Sequence, residues 1–238
     1  MLLKGGNKMQ GKIEALERTI HYEFKDKSIL RQALTHSSYA NEHRSGKWDH
    51  NERIEFLGDA VLEVVVSEYL FHNYPKENEG QMTKIRSSLV CEFTLSQCAR
   101  DIQLGSYLYL SKGEALTGGR ERNSILCDAF ESIIGALYLD GGFEPAKAFI
   151  YQYLLKDVED KTLFYDAKTI LQEMVQGNNW GSLSYELLEE KGPDHNKEFI
   201  VQAMVGERVL GKGIGRTKKA AEQQAAYGAI KKLKSEQV

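Results

Sequence analysis

Cysteine is scarce in this chain of 238 residues. Cys91, Cys98 and Cys127 form neither a metal-ligand spacing nor a disulfide framework, which suits a reducing cytoplasm. No run of about 18 apolar residues occurs, so a membrane span is excluded. The opening residues, MLLKGGNKMQGK, have no apolar core of the kind a secretory signal needs, and a cytoplasmic location is expected. An excess of basic charge is also missing: 31 Lys+Arg face 34 Asp+Glu, for a net charge of −3. Taken alone, that balance argues against a nucleic-acid partner. Its distribution argues the other way. Residues 1–165 hold 20 basic and 24 acidic residues, whereas residues 166–238 hold 11 and 10. From Arg208 to Ala221 there are five basic residues and no acid, a local patch suited to phosphates. What is plentiful, 42% hydrophobic and 27% charged residues, is globular composition rather than that of a disordered chain.

The length allows one large domain or two modest ones, and the residue pattern favours two. Helical periodicity starts near Ile13 and recurs at Ser28–Leu34. Polar residues 41–50 read as a loop. A long helix over Asn51–Asn73 is stopped by Pro75. One or two helices follow between Gly80 and Gln103, then a polar, Gly-containing loop over 111–124. A strongly apolar helix at Ile125–Leu139 ends at Asp140-Gly141-Gly142, and Phe143–Leu155 continues helical. No strand-like alternation precedes residue 160. After it the pattern predicts a helix at Asp166–Gln176 and strands at Ser184–Glu190, Glu198–Met204 and Arg208–Ile214. A turn at Gly192-Pro193-Asp194 separates the first two strands. An Ala-rich helix over Thr217–Lys234 closes the chain, with Thr217 as its N-cap. The expected architecture is an all-α domain over 1–158, a linker at 159–165 and a small α+β domain, α-β-β-β-α, over 166–238.

Two helices carry acids where apolar residues dominate. In IEFLGDAVLEVVVSEYLF, starting at Ile54, the helix is apolar enough for a core position. Yet Glu52, Glu55, Asp59 and Glu63 recur at spacings of three and four, within about an 80° sector. In ILCDAFESIIGALYL, starting at Ile125, the charged residues are Asp128 and Glu131. Like charges at such spacings repel by a few tenths of a kcal/mol, and burial worsens the conflict. Each helix also carries a mid-helix glycine, Gly58 or Gly135, at a cost of about 1 kcal/mol relative to Ala. A close crossing at the two glycines explains both and would gather Glu55, Asp59, Asp128 and Glu131. Four carboxylates in one place call for a divalent cation, and hard oxygen donors suit Mg²⁺ or Mn²⁺. The plainer alternative puts every acid on the solvated edge of its helix. These acids alone do not name a reaction.

Motifs around these acids narrow the choice. Asn51-Glu52-Arg53-Ile54-Glu55-Phe56-Leu57-Gly58-Asp59 resembles the signature of the ribonuclease III family. Leu34 to Glu42, Glu79-Gly80, Met82 to Arg86 and Ser124 to Glu131 resemble the same family. Asp166 to Leu233 resembles a double-stranded-RNA-binding domain. Two small departures are Thr217, where Ser is frequent, and Cys127, where Ala is frequent. The resemblance implies a helical endonuclease domain followed by an RNA-binding domain. The implied activity is a metal-dependent, homodimeric endoribonuclease that cuts double-stranded RNA. Its products would carry 5′-phosphate and 3′-hydroxyl ends with short 3′ overhangs, and its targets would be ribosomal RNA precursors and structured messenger RNAs. It implies Glu55, Asp59, Asp128 and Glu131 as metal ligands, with Asp59 and Glu131 catalytic, and Mg²⁺ as cofactor with Mn²⁺ able to replace it. Glu52 and Glu79 would be auxiliary to cleavage and Phe56 would lie at the dimer interface. From the residue alone, Phe56 reads as a core aromatic.

For the second domain the resemblance implies minor-groove contacts from Gln172, Glu173 and Gln176, a further contact from His195, and phosphate contacts from Lys218 and Lys219. By composition alone His195 is an ordinary turn residue. Arg216-Thr217-Lys218-Lys219 gathers positive charge at a helix N-terminus, where backbone N–H groups also attract anions. Two other functions remain open on the residues. One is a duplex-RNA-binding scaffold without cleavage, which the acid quartet disfavours. The other is a metal phosphohydrolase acting on small molecules, which competition by duplex RNA would reveal.

Overall fold

The computed structural model describes residues 3–43, 49–192 and 197–236. The chain divides into two compact units at the Val158/Glu159 junction. The first unit is helical: α1 (Leu3–Ile20), α2 (Lys27–Ala33), α3 (Ser37–Glu42), α4 (Glu52–Asn73), α5 (Glu79–Leu89), α6 (Glu92–Asp101), α7 (Lys112–Leu116), α8 (Asn123–Gly141) and α9 (Phe143–Tyr153). α8 is its hub and packs against α2, α4, α6 and α9. From Ile125 to Leu137 it is buried throughout except at Asp128 and Glu131, which are half-buried. α4 ends as expected just before Pro75, which has no N–H to continue the helix.

α4 is less deeply set than its composition predicts. Ile54, Gly58, Val61, Leu62, Val65, Val66 and Leu70 are buried. Phe56, Val64 and Phe71 are 80%, 58% and 70% exposed. At about 100° per residue these three fall, with exposed Ala60, in a sector of about 80° directly beside the acidic one. Phe56 is therefore not a core aromatic of this chain. The helix has an inner apolar face, an acidic edge and an outer apolar stripe.

Three further segments differ from expectation. α1 begins at Leu3 rather than near Ile13, so Gly5 and Gly6 do not break it. The polar stretch 111–124 is not wholly loop: Ser111 Oγ accepts from Glu114 N and caps the short α7, and Arg122 pairs with Glu114. Residues 159–165 are helical, as part of α10 (Val158–Tyr165). This helix is tied within the second unit. Gln223 Nε2 donates to the carbonyls of Phe164 and Tyr165, and Asp160 accepts from Tyr227 Oη and pairs with Lys231 at 2.9 Å.

The second unit continues with α11 (Ala167–Gly177), β1 (Leu183–Lys191), β2 (Glu198–Val205), β3 (Arg208–Gly215) and α12 (Lys218–Glu236). The strands form one antiparallel sheet in the order β1-β2-β3. Gly211, Gly213 and Gly215 alternate along β3, and a Cβ at any of them would run into the α12 backbone near Ala229, Ala225 or Ala221. Small residues on both sides let helix and sheet approach closely. Ala167, Leu171 and Val175 of α11 complete this core. The helical first domain and the α-β-β-β-α second domain agree with the class read from the sequence. Pro193 and Asp194 of the expected turn lie outside the described residues.

Candidate functional site

α4 and α8 cross at Gly58 and Gly135. A Cβ at Gly58 would overlap the carbonyl oxygen of Glu131 and stand 2.9 Å from Gly135 N. A Cβ at Gly135 would overlap the carbonyl of Ile54 and stand 3.1 Å from Gly58 N. Only hydrogen at both positions allows the two backbones to touch. This contact brings Glu55 and Asp59, which flank Gly58, to the stretch of α8 that carries Asp128 and Glu131.

The electrostatics record that convergence. Burial, then the charges of Asp59, Glu55 and Asp128, push the Glu131 carboxyl from its usual 4.5 up to about 8. Burial, then Asp128, Glu52 and Asp59, push Glu55 up to about 7. Asp128 is raised by burial and by Glu92 and Glu52. Among the described residues, ligand atoms of Cys127, Asp128 and Glu131 lie within 4.8 Å of one another. Glu55 and Asp59 stand across the helix crossing from them. Acidic charges that hold Glu131 and Glu55 above the usual carboxylate range form the environment that a divalent cation relieves. Their oxygen donors fit Mg²⁺ or Mn²⁺.

Other acids have separate surroundings. Glu63 pairs with Arg86 at 2.9 Å. Glu52 is exposed at the start of α4, 3.7 Å from His50 Nδ1. Glu79 opens α5 and lines a cleft with Ser67, Phe71, Met82 and Arg86. Ser67 and Phe71 lie about 12–18 Å beyond Asp59 along α4, so Glu79 does not join the quartet in its own chain. One neighbour of the site, Glu92, is not evident from sequence spacing: its charge acts on Asp128 from α6, which no spacing within one helix reveals. Cys127, four residues before Glu131, lies beside the site on α8.

In the second unit, Glu173 and Gln176 are exposed on the side of α11 away from its buried Leu171 and Val175, and Gln172 is half-buried at the edge of that side. Thr217 Oγ1 accepts from Ala220 N and caps α12, as expected. Lys218 and Lys219 are exposed in its first turn, and the Lys218 ammonium stands 5.9 Å from the Phe199 ring centroid. His195 lies outside the described residues.

Among the described residues no helix is long and apolar enough to cross a membrane. A family model described as Ribonuclease-III-like matches residues 26–158, and one described as double-stranded RNA binding motif matches residues 167–233. Ribonuclease 3 of Caldanaerobacter subterraneus subsp. tengcongensis is 51% identical over 222 residues, covering 92% of this chain and 96% of the relative. Ribonuclease 3 of Bacillus cereus is 46% identical over 225 residues, covering 94% and 92%. The solved nuclease domain of ribonuclease III from Campylobacter jejuni matches with a TM-score of 0.56 and 47% identity, covering 60% of this chain and 96% of that domain. That domain has a structurally flexible region involved in dimer formation. With a helical unit matching the nuclease and an α-β-β-β-α unit matching the RNA-binding motif, the chain belongs to the ribonuclease III family, as an endoribonuclease with a C-terminal double-stranded-RNA-binding motif.

Proposed function

We propose that this endoribonuclease hydrolyses phosphodiester bonds of double-stranded RNA at a Mg²⁺ site held by Glu55, Asp59, Asp128 and Glu131. The glycine-mediated crossing of α4 and α8 carries the reading, because it gathers acids from two helices at one place. When bound, the metal supplies Lewis acidity toward the phosphoryl oxygens and a water made nucleophilic at neutral pH. Glu131 and Glu55, with carboxyls pushed up to about 8 and 7, would hold the metal in their ionised form and give up their protons on doing so. Asp59, whose charge is the foremost neighbouring influence on Glu131, is assigned with it as the catalytic pair. Mn²⁺ offers similar oxygen-ligand chemistry and should substitute. Glu52 and Glu79 are assigned auxiliary roles in cleavage. Products carry 5′-phosphate and 3′-hydroxyl ends, and ribosomal precursors and structured messenger RNAs are the proposed targets. Mg²⁺-dependent cutting of an RNA duplex, with single-stranded RNA left intact, tests the reading. With no disulfide among the described residues, the three cysteines fit a reducing compartment, and we assign the protein to the cytoplasm.

The exposed stripe of Phe56, Val64 and Phe71 supports a homodimer. Because it adjoins the acidic edge, a two-fold seam there would set two cleavage sites close together, one for each strand of a duplex. That arrangement suits staggered cuts with short 3′ overhangs. Phe56→Asp should convert the dimer to monomer in sedimentation velocity. An unchanged dimer would remove Phe56 from the interface.

Duplex RNA presents an accessible minor groove lined by 2′-hydroxyls. Gln172, Glu173 and Gln176 offer donors and acceptors for it, His195 is assigned a second minor-groove contact, and Lys218 and Lys219 are assigned to phosphates. Lys218→Ala with Lys219→Ala should weaken duplex binding and lower the slope of log K against log salt by about 2, roughly one per lost phosphate contact. Binding with the same affinity and slope would remove both lysines from the interface.

A further inference from the structure

We propose that Cys127 makes one wall of the acidic site a binding site for a thiophilic divalent cation, Zn²⁺ or Cd²⁺, and that such an ion blocks cleavage. The proposal rests on reading Asp128 and Glu131 as carboxylates of the cleavage site. Cys127 and Glu131 are four residues apart on α8, so both project from one side of the helix, and Asp128 lies one turn from Glu131. One donor atom from each of the three falls within 4.8 Å of the others. A tetrahedral Zn²⁺ with bonds of about 2.0–2.3 Å holds its donors roughly 3.3–3.6 Å apart, so closure requires side-chain shifts on the order of 1 Å.

The thiol is an independent pointer to a ligand. Cys127 is 8% exposed, and its sulfur has no hydrogen-bond partner among the described residues. It is a buried thiol whose sulfur lies within 4.8 Å of a carboxylate oxygen of both Asp128 and Glu131. By contrast, Cys91 Sγ contacts Ser88 O at 3.5 Å and Thr94 Oγ1 at 3.3 Å. Hard Mg²⁺ favours the oxygen donors and leaves the sulfur aside, whereas a soft ion favours sulfur. As the ion binds, the S–H bond breaks, a metal–sulfur bond forms and the proton passes to water. Water fills the remaining position. Asp128 and Glu131 are then withdrawn from the quartet, so inhibition should compete with Mg²⁺.

The test uses the full-length protein and Cd²⁺. In the wild type, Cd²⁺ should produce a sulfur-to-metal charge-transfer absorption and should inhibit Mg²⁺-dependent cutting of duplex RNA. Cys127→Ala should lose that absorption, keep Mg²⁺-dependent cutting and require at least about 10-fold more Cd²⁺ for the same inhibition. Even outer-shell changes cost metal sites about 10–100-fold in affinity. Cys127→Ser, close in size, should behave as Cys127→Ala does. Cys91→Ala and Cys98→Ala should retain both the absorption and the sensitivity. Undiminished absorption and equal inhibition in Cys127→Ala and Cys127→Ser would overturn the proposal. A wild type that never cuts duplex RNA in Mg²⁺ would overturn the nuclease reading instead, and the absorption alone would then decide the metal site.

Discussion

Glu131→Gln is expected to reduce Mg²⁺-dependent cleavage of duplex RNA by about 10²–10³-fold or more while leaving duplex binding unchanged. That loss is typical when one preorganised electrostatic group is removed from an active site. Binding persists because the proposed RNA-contacting residues lie on α11, on α12 and in the sequence between β1 and β2. The same variant has a second readout. The Glu131 carboxyl is held at about 8 in the folded protein against a usual 4.5, so the folded state binds more protons than the unfolded state between those values. Stability of the metal-free protein therefore falls as pH rises through that window. Gln has no charge to lose. The metal-free variant should melt above the wild type at pH 8 and fall less steeply from pH 5, with Glu55, at about 7, supplying the remaining slope. Mg²⁺ should raise the wild-type melting temperature more than the variant's. A variant that cuts at the wild-type rate would remove Glu131 from the site. A variant with the wild-type pH profile of melting would remove the buried-acid origin of its shift.

Gly58→Ala should have the largest effect on stability. The new Cβ overlaps the carbonyl oxygen of Glu131, which is backbone inside the hub helix and has no rotamer to change. Overpacking of this kind costs typically 1–3 kcal/mol, and a backbone clash belongs at or beyond the upper end. A loss of about 3 kcal/mol would lower the melting temperature of the nuclease unit by roughly 6–12 °C. Because the crossing also sets the spacing of the acid pairs, cleavage should fall even in protein that remains folded. Gly113 is the control: it lies in α7 with no atom from outside its own stretch of helix within 4 Å of where a methyl group would stand, so Gly113→Ala should melt near or slightly above the wild type. Equal melting temperatures for the two variants would contradict a tight α4–α8 contact.

The α4–α8 crossing is legible in the sequence because two signals coincide. Acids repeat at helical spacing on apolar helices, and each helix carries a glycine beside them. Neither signal depends on knowing the neighbouring elements. Phe56 is ambiguous for the opposite reason. An aromatic that covers a core and one that awaits a second copy share the same local pattern, and only the 80% exposure separates them. α7 and α10 read as loop and linker because both are short. Their helicity depends on tertiary partners, Glu114 with Arg122 for the first and Asp160 with Tyr227 and Lys231 for the second. Glu92 is another tertiary case, since its charge acts on Asp128 only through the packing of α6 on α8.

The most direct test of a metal-dependent, duplex-specific cleavage site is a cutting assay on a long, perfect RNA duplex labelled on both strands. The reactions contain Mg²⁺, Mn²⁺ or EDTA, with single-stranded RNA and duplex DNA as controls. The expected result is cutting of both RNA strands in Mg²⁺ and Mn²⁺, with 5′-phosphate ends and short 3′ overhangs, none in EDTA, and neither control cut. Duplex RNA that is bound but left whole in every metal would contradict it and leave a binding protein with an unexplained acid quartet.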